Sequence, residues 1–218
     1  MSEPLKILFQ DESICAINKP SGYVVHKTRG AGDSPLVLQT LRDQIGQKVY
    51  PVHRLDRGTS GSMIFALNPG IAGGLQASLT QGQKKYYALC LGHLDTEGEF
   101  NRPLTAENKV KQEACTWYRV IQEFAEYSLL DVEILTGRKH QIRRHLSFEG
   151  HHIIGDVNHG KGWLNRRFRE SFGFHRLFLH CHRLSLIHPV NGQSLSLESE
   201  MPDDLKSLLK ELEQGSDG

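Results

Sequence analysis

The chain has no paired-cysteine motif. Its four cysteines, Cys15, Cys90, Cys115 and Cys181, lie far apart in sequence. That excludes a CxxC metal or redox pair and fits reduced thiols in a cytoplasmic protein. No apolar run approaches about 18 residues, which excludes a membrane-spanning helix. The opening residues MSEPLKILFQDESICAINKP carry no basic segment leading into a long apolar stretch, so no signal peptide is expected. Internal repeats, low-complexity tracts and a Pro/Ser-rich linker are also missing, and one domain over residues 1–218, with no appended binding module, is expected. The twelve histidines include no HExxH or other zinc spacing, so no metal site is expected. Neither sign of charge dominates, with 26 Lys and Arg against 25 Asp and Glu. At 38% hydrophobic and 23% charged residues, collagen, coiled coil and wholesale disorder are excluded.

The charge that is present is unevenly spread. Residues 137–183 hold ten Lys and Arg but three acids, while the last 24 residues hold seven acids and two lysines. One basic region on a neutral chain suits a polyanionic partner, and equally a solvated basic face. Apolar runs at 5–10 and 13–19 read as a hairpin around Asp11-Glu12. Further strands are expected at 62–67, 84–92, 115–124, 127–135, 176–189 and 194–199. Helices are expected at 36–45, 71–79, 203–212 and across the segment RKHQIRRHLSFEG, with a polar loop at 26–35. Strands in hairpin-like runs, with helices between groups, predict an α+β fold with a central, mainly antiparallel or mixed sheet flanked by helices.

The most unusual stretch is His53-Arg54-Leu55-Asp56-Arg57-Gly58-Thr59-Ser60-Gly61. Guanidinium charge on both sides of Asp56 favours an ionised carboxylate. The glycines and small hydroxyls permit close backbone approach. Such a carboxylate, in a loop before a strand, is a candidate nucleophile or general base; an ion pair in a surface turn explains the same letters. The kinase catalytic loop is excluded, because Leu55 intervenes and residue 61 is Gly. The nucleophile elbow Gly-x-Ser-x-Gly is excluded because the second glycine comes one residue early.

Residues 53–61 match the HRLDxxTSG signature of the RluA-type pseudouridine synthases. Asn18-Lys19-Pro20-Ser21-Gly22 resembles that family's NKPxG turn, and Lys84-Lys85-Tyr86-Tyr87-Ala88 its KxYxA strand. Thr136-Gly137-Arg138-Lys139-His140-Gln141-Ile142-Arg143 resembles TGRxHQ(L/I)R, Ile154-Gly155-Asp156 resembles (I/L)GD, and Leu179-His180-Cys181 stands where Leu-His-Ala is usual. The blocks run in order over residues 5–200. Their detail is closest to the TruC-like tRNA-modifying branch, from which the chain departs by a compact stretch between Leu104 and Thr116.

The resemblance implies a pseudouridine-synthase-like fold with its active site in a basic cleft. It implies cofactor-free isomerisation of uridine in RNA: tRNA, with uridine 65 of the T stem as target, or else rRNA or both. By resemblance Asp56 supplies the reacting carboxylate, Arg143 pairs with it, and Tyr86 lies against the target base. Arg54 fills the gap left by a flipped nucleotide. His53, Arg57, Thr59, Arg138, His140, Arg144, Arg166 and Arg167 complete the expected RNA-binding set. A monomer without membrane attachment is expected. A non-catalytic RNA-binding or chaperone protein on the same fold is the rival reading, which intact Asp56, Tyr86 and Arg143 disfavour; a metal-dependent nuclease would need a carboxylate cluster.

Overall fold

Short apolar runs become the largely buried strands Ile14–Lys19, Ser60–Ala66 and Gln83–Leu91. The computed structural model describes residues 3–26 and 34–215. In chain order the elements are β1 (Lys6–Gln10), β2 (Ile14–Lys19), α1 (Val37–Ile45), β3 (Tyr50–Pro51), β4 (Ser60–Ala66), α2 (Pro69–Gln81), β5 (Gln83–Leu91), β6 (Glu97–Phe100), β7 (Leu104–Thr105), β8 (Lys111–Gln112), β9 (Thr116–Glu123), β10 (Tyr127–Ile134), α3 (Gln141–Phe148), α4 (Gly162–Phe172), β11 (Leu179–Ile187), β12 (Ser194–Glu198) and α5 (Asp203–Gly215). Of the expected loop at 26–35, residues 27–33 lie outside the described ones. The elements group into two compact units, 1–84 with 181–200, and 85–180 with 201–218.

In the first unit the strand order is β1-β2-β4-β11, with β3 on β4 and β12 on β11. β1 and β2 form the expected antiparallel hairpin. Its turn is set by Asp11, whose Oδ1 accepts the N–H groups of Ser13 and Ile14 at 2.7 and 2.8 Å. β2 pairs antiparallel with β4, and every residue of β4 is buried. A strand covered on both faces reads as a continuous apolar run, which is why Met63-Ile64-Phe65-Ala66 shows no alternation. Helix α1 buries Val37 and Leu41 and ends where Gly46 turns left-handed and donates to the Arg42 carbonyl. Asn68 caps α2 through Gly70 N–H, with Pro69 in the first turn.

In the second unit the order is β5-β10-β9-β6, with antiparallel pairings. Leu89, Leu130 and Val132 supply its sheet core. Ile142 and Leu146 on α3, Leu164 and Phe168 on α4, and Leu205 and Leu208 on α5 are buried at helical spacing. The α+β class with a mainly antiparallel sheet is as the sequence predicts. Two helices differ from expectation. The helix expected from residue 138 starts only at Gln141, because His140 is left-handed (φ 53°). The Gln141 side chain folds that turn instead: Oε1 accepts from Thr136 Oγ1 at 2.7 Å and from Arg138 N–H at 3.1 Å, and Nε2 donates to the Cys115 carbonyl at 2.8 Å. Helix α4 was not expected from the sequence.

Candidate active site

The Asp56 loop belongs to the first unit and hangs on a buried lysine. Lys19 is 0% exposed, unusual for a side chain that is almost never fully buried unless its charge is met. Its ammonium donates to the carbonyls of Pro20 and Tyr23 at 2.8 and 2.9 Å and to that of Arg57 at 3.4 Å. Gly22 N–H also donates to Arg57 O at 2.8 Å, and Ser21 Oγ to Gly58 O at 2.8 Å. The turn 18–22 is thereby clamped to the loop 56–58. A lysine is suited to this, since one ammonium offers three donors. Sequence reading alone gave Lys19 no role; its signal was the Asn-Lys-Pro-Ser-Gly block.

Each residue of the signature then has its place. His53 accepts the N–H of Ile64 at its Nε2, 3.0 Å away. Arg54 and Arg57 are exposed and Asp56 is half-buried, while Thr59 is buried. Thr59 N–H closes the turn onto the Asp56 carbonyl at 3.1 Å. At Gly61 (φ +116°) a Cβ would lie 2.2 Å from the carbonyl oxygen of Cys181, so the β4 backbone needs glycine to pass β11. Cys181, the departure from Leu-His-Ala, is a small, fully buried side chain at that crossing.

The second unit carries Tyr86, Arg143 and most of the expected RNA-binding residues. On β5, Tyr86 is buried at 6% exposure and Tyr87 is half-buried on the opposite face. Arg143, on α3, is also buried. Its Nε and Nη2 donate to Oδ2 and Oδ1 of Asp156 at 2.8 and 2.7 Å, a parallel two-bond pair. Asp156 Oδ1 accepts the N–H groups of Asn158 and His159 as well, both at 2.9 Å. Burial alone would push the Asp156 carboxyl up. The hydrogen bonds and charge of Arg143, with those two N–H groups, outweigh it and hold the carboxyl below its usual range.

The remaining residues of the basic segment divide into two groups. His140 Nδ1 is 2.9 Å from His159 Nε2, and His159 O bonds His152 Nδ1 at 2.8 Å. Arg138 donates to the Glu113 carbonyl and Arg144 to that of Thr105. Arg167 pairs with Glu126, Arg176 with Asp204 and Lys139 with Glu107, which reduces the charge the segment presents. Arg166 is exposed on α4. His145, which sequence reading did not single out, lies 2.9 Å from Thr116 Oγ1 and 2.9 Å from the Arg102 carbonyl. Burial lowers its pKa, so its place in this network is that of a neutral ring. Among the described residues, no group of three or more His, Cys, Asp and Glu is arranged to hold a metal ion, and no helix is long and apolar enough to cross a membrane.

A family model described as RNA pseudouridylate synthase matches residues 13–148. The chain is similar to the tRNA pseudouridine synthase C of Vibrio parahaemolyticus, 36% identical over 234 residues, covering 96% of this chain and 95% of that one. The protein of the same name from Vibrio cholerae is 38% identical over 232 residues, covering 95% of each. Among solved structures, human RNA pseudouridylate synthase domain containing 4 is similar with a TM-score of 0.76 at 25% identity, over 95% of this chain and 93% of that one.

Proposed function

The chain belongs to the RNA pseudouridylate synthase family and isomerises uridine to pseudouridine in RNA, and we propose that its substrate is tRNA, with uridine 65 of the T stem as the target. The reaction breaks the bond between base N1 and ribose C1′ and joins C5 to C1′. A proton leaves C5 and one is taken up at N1, so no redox agent or group donor enters the balance. We assign the reacting carboxylate to Asp56, its counter-charge to Arg143, and contact with the target base to Tyr86. Arg54 takes the place of the flipped nucleotide, and the enzyme works as a cytoplasmic monomer without metal or cofactor.

The observation that carries this reading is the clamped loop 53–61. A half-buried acid sits between two exposed arginines on a backbone fixed by Lys19 and Ser21. A carboxylate held in one place is what a reaction at one sugar carbon requires. The substrate assignment is supported by the names of the full-length relatives. The test is to incubate the purified protein with unmodified tRNA and rRNA transcripts and map pseudouridine by nucleotide. Conversion of one T-stem uridine is expected. Conversion in rRNA alone would replace tRNA by rRNA as the substrate, and no conversion in any RNA would overturn the catalytic reading.

A further inference from the structure

Arginine carries four rotatable bonds, so an arginine that must present its charge at one point needs something to hold it. In the second unit that something is Asp156. We propose that Asp156 is a positioning residue for the reaction, fixing the guanidinium of Arg143 and keying it to the strand that carries Tyr86. The proposal rests on the assignment of Arg143 and Tyr86 to the active site made above.

The Asp156 carboxylate takes two parallel bonds from Nε and Nη2 of Arg143, which sets the plane of the guanidinium and not merely its distance. The carboxylate is itself held. Oδ1 is pinned by the N–H groups of residues 158 and 159, and the Asp156 carbonyl accepts from Asn165 Nδ2 at 2.8 Å. Asn165 Oδ1 in turn accepts Gly155 N–H at 3.1 Å. Gly155 (φ +76°) and Gly160 leave no space for a side chain: a Cβ would lie 1.8 Å from the Arg176 carbonyl oxygen in one case and 2.1 Å from that of Asp156 in the other.

The same strap is tied to β5. Ile154 N–H donates to the Leu89 carbonyl at 2.9 Å, and Ile153 bridges to Cys90. Tyr86 lies three residues from Leu89 on that strand. Backbone bonds therefore tie the tyrosine's strand to residues 153–154, and the Asp156 carboxylate carries the link on to the arginine's charge. A buried ion pair that served only to fill the interior would not need its acid fixed by three further hydrogen bonds, nor tied to this strand.

The test compares Asp156→Asn and Asp156→Glu with wild type, alone and in an Arg143→Lys background. The readouts are cooperative melting, tRNA binding and the single-turnover rate at saturating enzyme. Asn keeps the shape but loses the charge; Glu keeps the charge but displaces it. Both variants are expected to melt cooperatively and bind tRNA within about threefold of wild type, with rates reduced about tenfold or more. In the Arg143→Lys background the same changes should cost less than about twofold, because residues acting through one another are not additive. Wild-type rates in the variants, or equal losses in both backgrounds, would overturn the proposal. Failure of both variants to fold would assign the pair to stability alone and overturn it too. An inactive wild type would instead strike at the proposed function.

Discussion

The backbone N–H of Ile64 points at Nε2 of His53, 3.0 Å away, so the imidazole at the head of the signature loop acts as an acceptor toward strand β4. A ring nitrogen can accept only when unprotonated. Desolvation, followed by the charge of Lys84, pushes the His53 pKa down to about 4. From about pH 6.5 down to about 4, the unfolded chain takes up a proton at this residue that the folded chain refuses. Stability should therefore fall as pH falls through that window and level off below it. His53 as a whole residue is half-buried, so about 3 kcal/mol is the ceiling on this contribution. Urea unfolding between pH 7.5 and 4 should show a flatter pH dependence in His53→Gln than in wild type. An unchanged dependence would remove His53 as its source.

Asp56→Asn keeps the size of the side chain and removes its charge. The carbonyl that accepts Thr59 N–H belongs to the backbone, so the turn survives. Pseudouridine formation should be abolished while tRNA affinity changes little, as read by a filter-binding titration beside a product assay. Activity within tenfold of wild type would take the reacting role away from Asp56.

Arg143→Lys preserves a positive charge but cannot make two parallel bonds to Asp156. The expected loss is about 1–3 kcal/mol in barrier, the size of a charge-assisted hydrogen bond poorly made. That corresponds to roughly ten- to a hundredfold in single-turnover rate, with RNA affinity retained. A wild-type rate would return Arg143 to the RNA-binding surface or to structure alone.

Salt dependence should be gentler than ten basic residues suggest, because Lys139, Arg143, Arg167 and Arg176 are each paired with an acid. If exposed Arg166 meets a phosphate, Arg166→Ala should reduce the log–log slope of affinity against salt by about 0.7–0.9. Arg167→Ala should have less effect, since it also frees Glu126. A wild-type slope near zero would make the basic segment a solvated face.

Elements built from continuous apolar runs were legible because burial alone dictates them: β2, β4 and β5 fall within a few residues of expectation. Helix α4 was not. Its N-cap position is Lys161, which makes no capping bond, and Gly160 and Gly162 around it read as loop. Its buried face includes the polar Asn165, which breaks the apolar stripe because it is bonded to the Asp156 strap. The letters of the signature loop were legible as a motif, but the contacts that hold them were not. Lys19 reads as a surface charge until three carbonyls are seen around it. Arg143 and Asp156 stand thirteen residues apart, a spacing that belongs to no regular element and signals no contact.

The last letter of the signature loop is a matter of handedness. At Gly61 the φ of +116° and the carbonyl of Cys181 together shut out a β-carbon of the ordinary chirality. The position therefore admits an achiral residue, and its backbone angle suits the mirror-image configuration better than any of the nineteen chiral residues the ribosome supplies. Directed evolution of this enzyme will find no useful replacement there, whatever activity is selected. A chemically synthesised chain with D-alanine at position 61 would suit that backbone angle and would direct its β-carbon away from the Cys181 carbonyl.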